Sequence, residues 1–227
     1  MARTDRVAAL HKQSLEAKPT LSSERAELIT AFLAQQNGLM SPAVQRASIF
    51  QYLLEHQTIF IQPGELIVGE KGPAPKASPT YPELCCHSLQ DLDILNSREK
   101  IPFSVDGTTR EIYADHIIPF WHGKSMRELI FAEMEPAWLD AYEAGIFTEF
   151  MEQRSPGHTV LDNKIYSRGI LDFMAEIDTR LAALDYLADP QAYEKSQELR
   201  AMCISAAALI RFAERYAEKA EQLAAEC

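Results

Sequence analysis

The sequence predicts a mainly α-helical protein with one short two-strand element. Three observations carry this. Apolar residues recur at helical spacing, three or four apart, over most of the 227 residues. Serine, aspartate and proline stand where helices should begin. A single pair of β-branched-rich runs, at 58–61 and 66–68, interrupts the helical pattern.

Each element can be justified in turn. Ser22-Ser23-Glu24-Arg25-Ala26-Glu27 opens a helix with hydroxyls that accept free amide groups and acids that complement the helix dipole. Leu28, Ile29, Phe32 and Leu33 give it an apolar face, and Asn37-Gly38 stops it. Ser41-Pro42 caps the next helix, whose face holds Val44, Ala47, Ile49, Phe50, Leu53 and Leu54. The two strands follow, joined by the turn Gln62-Pro63-Gly64-Glu65. Gly72-Pro73-Ala74-Pro75-Lys76-Ala77-Ser78-Pro79 carries three prolines and is expected to form no regular structure.

Helices are expected again over 83–95, 106–120, 126–134 and 137–144, then over 165–184 and, capped by Asp189-Pro190, from Gln191 onward. The last helix carries Ala206, Leu209, Ile210, Ala213, Tyr216, Ala217, Ala220 and Leu223 on one side. It reaches Cys227 with no stop signal, which implies a domain that continues beyond this point.

Composition narrows the function. A net charge of −11 lacks the basic face that a nucleic-acid backbone requires, so small molecules or proteins are the expected ligands. No run approaches the ~18 uncharged apolar residues of a membrane span. Cys85, Cys86, Cys203 and Cys227 are too few and too oddly spaced for a secreted disulfide framework, and a reducing cytoplasm is expected. The six histidines, His11, His56, His87, His116, His122 and His158, form no compact ligand set, so no metal is expected. Phosphate loops, dinucleotide fingerprints and nucleophile elbows are absent.

One segment stands out on chemistry alone: 145–160, which mixes bulky aromatics with Gln153-Arg154-Ser155-Pro156-Gly157-His158 in an irregular stretch. By residue type alone Phe150 reads as a core aromatic and His158 as a loop anchor. A relay from Glu152 or Asp162 to His158 is no better supported than coincidence among abundant acids.

Several motifs carry a resemblance. Ser23-Glu24-Arg25-Ala26-Glu27-Leu28-Ile29-Thr30 and Gly64-Glu65-Leu66-Ile67-Val68-Gly69 resemble segments of glycyl-radical enzymes of the pyruvate formate-lyase superfamily. More specific are Pro79-Thr80-Tyr81-Pro82-Glu83-Leu84-Cys85-Cys86-His87, Ile117-Ile118-Pro119-Phe120-Trp121, and the run from Ala141 through Arg154 to Pro156-Gly157-His158-Thr159-Val160. These resemble the dehydratase branch that acts on trans-4-hydroxy-L-proline.

The resemblance implies that residues 1–227 are the N-terminal part of a ten-stranded α/β barrel wrapped in helices, without its radical-bearing C-terminal glycine domain. It implies a cytoplasmic, anaerobic lyase, homodimeric at full length. An iron–sulfur activating enzyme using S-adenosylmethionine installs the glycyl radical, and no cofactor is bound by this chain itself. The same resemblance makes Phe150 the aromatic that packs on the proline ring and His158 the catalytic and substrate-binding histidine near the substrate hydroxyl. It gives no counterpart here to the thiyl cysteine or the radical glycine, so the chain alone is expected to be inactive. Another glycyl-radical branch (diol dehydratase, sulfonate lyase, decarboxylase or formate acetyltransferase) stays open, as does a helical binding module derived from the family.

Overall fold

The computed structural model of the chain describes residues 4–36, 38–147 and 162–226. The chain divides into two compact units, Met1–Thr30 with Phe60–Gly157, and Ala31–Ile59 with His158–Cys227.

In the first unit, α1 (Asp5–Glu16) begins at Thr4, whose hydroxyl accepts the Val7 N–H at 3.3 Å. The strands are not where the β-branched runs predicted them. Among the described residues β1 is Thr20–Ser22 and β2 is Ala77–Pro79, paired in parallel with Thr20 opposite Ala77. Residues 58–61 and 66–68 form no strand. A strand exists only with a partner for its backbone groups, and strand propensity cannot supply one. Conversely, the proline-rich stretch 72–79 was expected to be irregular, yet it ends in β2. Pro79 is the last residue of that strand, where its missing N–H is tolerated.

Helix α2 (Glu24–Ala34) starts at its serine signal, with the Ser23 hydroxyl donating to the Glu27 carboxylate at 2.7 Å. Helix α4 (Leu89–Ser97) begins later than the expected residue 83. Ser88 and Asp91 close a reciprocal capping box there, after a turn in which the Leu84 and Cys85 amides donate to the Tyr81 carbonyl.

The expected single helix over 106–120 is three pieces: α5 (Gly107–Ile112), a wide π turn (Tyr113–Ile117) and α6 (Ile118–Trp121). Pro119 explains the break, because its ring crowds the carbonyl four residues back, at Asp115, and it has no N–H to donate. This run forms the core of the unit. Tyr113 and Ile117 are fully buried, and buried Trp121 donates to Thr30 Oγ1 at 2.8 Å. Helices α7 (Met126–Glu133) and α8 (Pro136–Glu143) match expectation within two residues.

The second unit is built on α3 (Pro42–His56), α9 (Ile170–Ala182) and α10 (Ala192–Glu226). Ser41 caps α3, accepting the Val44 N–H at 3.3 Å, as its Ser-Pro start predicted. The helix expected from residue 165 begins at Ile170 instead, preceded by a 3-10 turn at Asp162–Tyr166. Helix α10 packs on α3 and α9. Its most buried positions are the small residues Ala192, Ser196, Ala201 and Ala208, which let helix axes approach closely. The larger expected stripe is only partly buried, with Leu209 and Ala213 exposed.

Gly72 tests the β1–β2 joint. A Cβ there would meet the Ala77 carbonyl oxygen at 2.5 Å and the Ala77 Cβ at 2.8 Å, and a backbone atom cannot swing aside. Gly72→Ala should cost about 1–3 kcal/mol of stability through overpacking, read as a lower urea midpoint. Gly107→Ala, at the start of α5 with open space around it, should be neutral or stabilising by up to about 1 kcal/mol.

Candidate functional site

Three of the motif-bearing segments of the first unit, 23–30, 79–87 and the stretch beginning at Ala141, meet at one side-chain cluster. It begins with Arg25 on α2, whose guanidinium donates to both oxygens of the Glu83 carboxylate and, at 3.0 Å, to the Thr80 carbonyl. It also lies 4.0 Å over the Tyr81 ring. The Pro79-to-His87 stretch is thereby tied to α2 by charge-assisted hydrogen bonds, the stronger kind. The Met126 and Arg127 amides then donate to the Glu83 and Leu84 carbonyls at 2.9 and 3.0 Å, which fixes the start of α7 against the same stretch.

From α7, Arg127 reaches two ways. One guanidinium nitrogen lies 3.8 Å from Cys85 Sγ, and the other donates to the Tyr142 hydroxyl at 2.6 Å. Tyr142 stacks on Trp138 within 2° of parallel, and Phe147 tilts onto Trp138 at 4.9 Å. The aromatics of α7 and α8 therefore end on Phe147, the last described residue before position 148 and itself part of the 145–160 stretch singled out by sequence. Phe150 and His158 lie outside the described residues, as does Glu152.

Burial sets the electrostatics. The Cys86 thiol is pushed up to about 12, chiefly by desolvation and then by the charges of Glu128, Cys85 and Asp91. Such a thiol is a poor nucleophile at neutral pH, in keeping with a packing role. Burial also pushes the Tyr113 phenol well above its ordinary range, against an opposing influence of the Thr80 hydroxyl. Among the described residues neither Tyr113 Oη nor Thr80 Oγ1 has a hydrogen-bond partner. Among the described residues no three His, Cys, Asp or Glu side chains are grouped to hold a metal ion. No described helix is long and apolar enough to cross a membrane.

His116 sits exposed on the π turn. His122 follows α6 and pairs with Glu128 at 3.3 Å. Both are surface or helix-end residues, as their positions predicted. Cys203 lies about a third of the way along α10, in the other unit. Arg127 went unnoticed in the sequence because a basic residue in the first turn of a helix reads as an ordinary surface group.

A family model described as pyruvate formate lyase-like matches residues 2–227. The chain belongs to this family. Among the relatives of this pyruvate formate lyase-like chain is trans-4-hydroxy-L-proline dehydratase of Clostridioides difficile, 47% identical over 222 residues, or 98% of this chain and 28% of that protein. The crystal structure of the hydroxyproline dehydratase from that organism, with trans-4-hydroxy-L-proline bound, shares the fold with a TM-score of 0.90 at 45% identity. It covers 100% of this chain and 29% of its own. The glycerol-bound B12-independent glycerol dehydratase of Clostridium butyricum gives 0.85 at 30% identity, again with 29% of its chain matched. The chain thus spans somewhat over a quarter of the length of these relatives.

Two outcomes check the electrostatics of this family member. Tyr113→Phe removes a buried hydroxyl that has no partner among the described residues, so it should be neutral or raise stability by up to about 1 kcal/mol in urea unfolding. A loss of 2 kcal/mol would show that the phenol is hydrogen-bonded after all. A thiol raised from 9.0 to about 12 holds about a thousandfold less thiolate near pH 8. Cys86 should therefore resist alkylation in the native chain, react faster as pH climbs toward 12, and react at once in denaturant.

Proposed function

We propose that these residues are the N-terminal portion of a glycyl-radical lyase that dehydrates trans-4-hydroxy-L-proline to a pyrroline carboxylate. The observation that carries this reading is the grading of likeness. Identity is 47% to the hydroxyproline dehydratase and 27–30% to the isethionate sulfite-lyases of the same family. A 45% identical chain with hydroxyproline bound also superposes over the full length of this one.

In this reading Phe150 is an apolar wall for the pyrrolidine ring, and His158 lies near the substrate hydroxyl. One wall plus one placed polar group is what a small zwitterionic ring requires. The glycyl radical of such enzymes, installed by an S-adenosylmethionine iron–sulfur partner, supplies hydrogen-atom abstraction from the ring carbon next to nitrogen. The part left to this chain is acid–base chemistry. Hydroxide is a poor leaving group, so the departing oxygen must take a proton as the carbon–oxygen bond breaks. His158 is the group that gives or relays it, and the hydroxyl leaves as water.

The Arg127–Tyr142–Trp138–Phe147 chain of contacts supports this reading, because it anchors the residue from which the chain enters 148–158. The remainder of the ten-stranded barrel, the thiyl cysteine and the glycine domain come from family chain beyond these residues. The full-length enzyme is a cytoplasmic homodimer. None of Cys85, Cys86 and Cys203 carries the radical.

In a full-length enzyme with this N-terminal sequence, His158→Ala should leave the glycyl-radical yield intact and slow hydroxyproline dehydration about 10²–10⁴-fold. Phe150→Ala should weaken substrate binding by roughly 1–3 kcal/mol through lost ring packing. Wild-type turnover by His158→Ala at normal radical yield would remove the histidine from the chemistry. The 227-residue chain by itself, incubated anaerobically with an activating enzyme and S-adenosylmethionine, should give no glycyl-radical doublet in electron paramagnetic resonance.

A further inference from the structure

Helix α8 ends in a turn that fixes where the chain goes next. Gly145 has a φ of +70°, in the left-handed region that favours glycine. Its N–H donates to the Tyr142 carbonyl at 3.0 Å, and the Ile146 N–H reaches back to the Ala141 carbonyl at 3.1 Å. These two bonds make a Schellman turn, which satisfies carbonyls at the helix end and reverses the chain. No atom lies within 4 Å of where a Gly145 Cβ would be, so the dihedral angle calls for glycine and lack of room does not.

The reversal lays Phe147 back on the helix it has just left. Its ring centroid is 4.9 Å from that of Trp138 and 6.3 Å from that of Tyr142. Phe131 on α7 closes the cluster, edge-on to Trp138 at 5.4 Å and to Tyr142 at 5.1 Å. Arg127 supplies the charge. It donates to the Tyr142 hydroxyl at 2.6 Å and lies 5.1 Å over the Phe131 ring, while its backbone N–H is held by the Leu84 carbonyl at 3.0 Å. A hydrogen bond from a charged donor is stronger than a neutral one. Here it ties α7 to Tyr142, the residue on whose carbonyl the turn is built. Place and direction of Phe147 are thus set together.

Phe150 follows Phe147 by three residues. Three residues of chain span at most about 11 Å, so a tether this short transmits a shift of Phe147 to Phe150.

We propose that Arg127 and Gly145 are positioning residues for the substrate, setting Phe147 and through it the approach of the Phe150 ring to the pyrrolidine. This rests on the reading of Phe150 as an apolar wall of a hydroxyproline pocket. Each acts through Phe147 rather than on the substrate. The effect falls on affinity, because the proton-transfer group His158 lies eight residues beyond Phe150 and the radical is carried outside this chain.

The experiment uses a full-length enzyme with this N-terminal sequence. Hydroxyproline binding is measured by titration calorimetry on the unactivated protein, then kcat, KM and glycyl-radical yield after activation. Arg127→Met should weaken binding and raise KM about tenfold, with kcat within about threefold of wild type and the radical yield intact. Tyr142→Phe keeps the stacked ring and removes only the hydroxyl. It should give a like loss, and the double variant little more, because both changes break the same hydrogen bond. Gly145→Ala should weaken binding about fivefold, and Gly145→Asn, which tolerates the left-handed conformation, should recover most of it. Arg110→Met breaks an exposed pair with Asp93 in the same unit and should change neither KM nor kcat.

Wild-type affinity in both Arg127→Met and Tyr142→Phe overturns this inference and leaves the functional reading standing. An equal fall in affinity, kcat and radical yield does the same, because it marks a general structural role. A wild-type enzyme that neither binds nor dehydrates hydroxyproline overturns the functional reading and this inference with it.

Discussion

The first unit depends on one charge pair, Arg25 with Glu83. Their side chains are 19% and 26% exposed, so both have lost much of their water, and each needs the other to be stable there. Because Arg25 also holds the Thr80 carbonyl and covers Tyr81, it converts an irregular, proline-bounded stretch into a fixed surface. Everything that distinguishes the unit is hung on that surface. β2 ends immediately before it, α7 starts from its carbonyls, and Arg127 reaches from α7 to the aromatic stack that ends on Phe147. Removing one member would leave the other as a half-buried unpaired charge, which costs more than the pair contributes.

The second unit uses a different device. Its long helix lies on α3 through alanine and serine rather than through bulky side chains, and hydrogen bonds between the two helices fix their alignment. Arg215 donates to the Leu54 and Gln57 carbonyls at the end of α3, groups that the helix itself leaves without partners. At the other end of α3, Ser41 donates to Gln197 at 3.2 Å. Close packing by small residues buries little apolar area per contact, which is why Met202 and Leu209 remain half exposed on the same helix.

The candidate site shows how far such a scaffold goes toward function. The described residues bring Arg25, Arg127, Cys85, Cys86 and the aromatics Trp138, Tyr142 and Phe147 together. Cys86 is held protonated by burial, Tyr113 likewise, and Arg127 is committed to Tyr142. Their common property is rigidity. Rigid support is what a pocket segment requires when its own residues must sit within a fraction of an ångström of a substrate. His158, the acid–base group proposed for the chain, lies in the sequence that follows this support.

The sequence by itself determined the helical character, the Ser41 cap and the family, while its pattern places the start of α4 five residues ahead of Ser88. Ser41, Ser88, Ser125 and Asp106 act as helix caps because a short polar side chain can accept the free amide two or three residues ahead, an interaction decided by near neighbours. The motifs at 79–87, 117–121 and 141–160 were enough to mark the family, and they pointed to Phe150 and His158 as pocket residues. Tertiary structure decided the strands, because pairing requires a partner distant along the chain. Thr20-Leu21-Ser22 has modest strand propensity and is paired, whereas Leu66-Ile67-Val68 has high propensity and is not. Tertiary structure also decided the role of Arg127. Its partners Cys85 and Tyr142 lie 42 and 15 residues away, and no local pattern records a contact made across that distance.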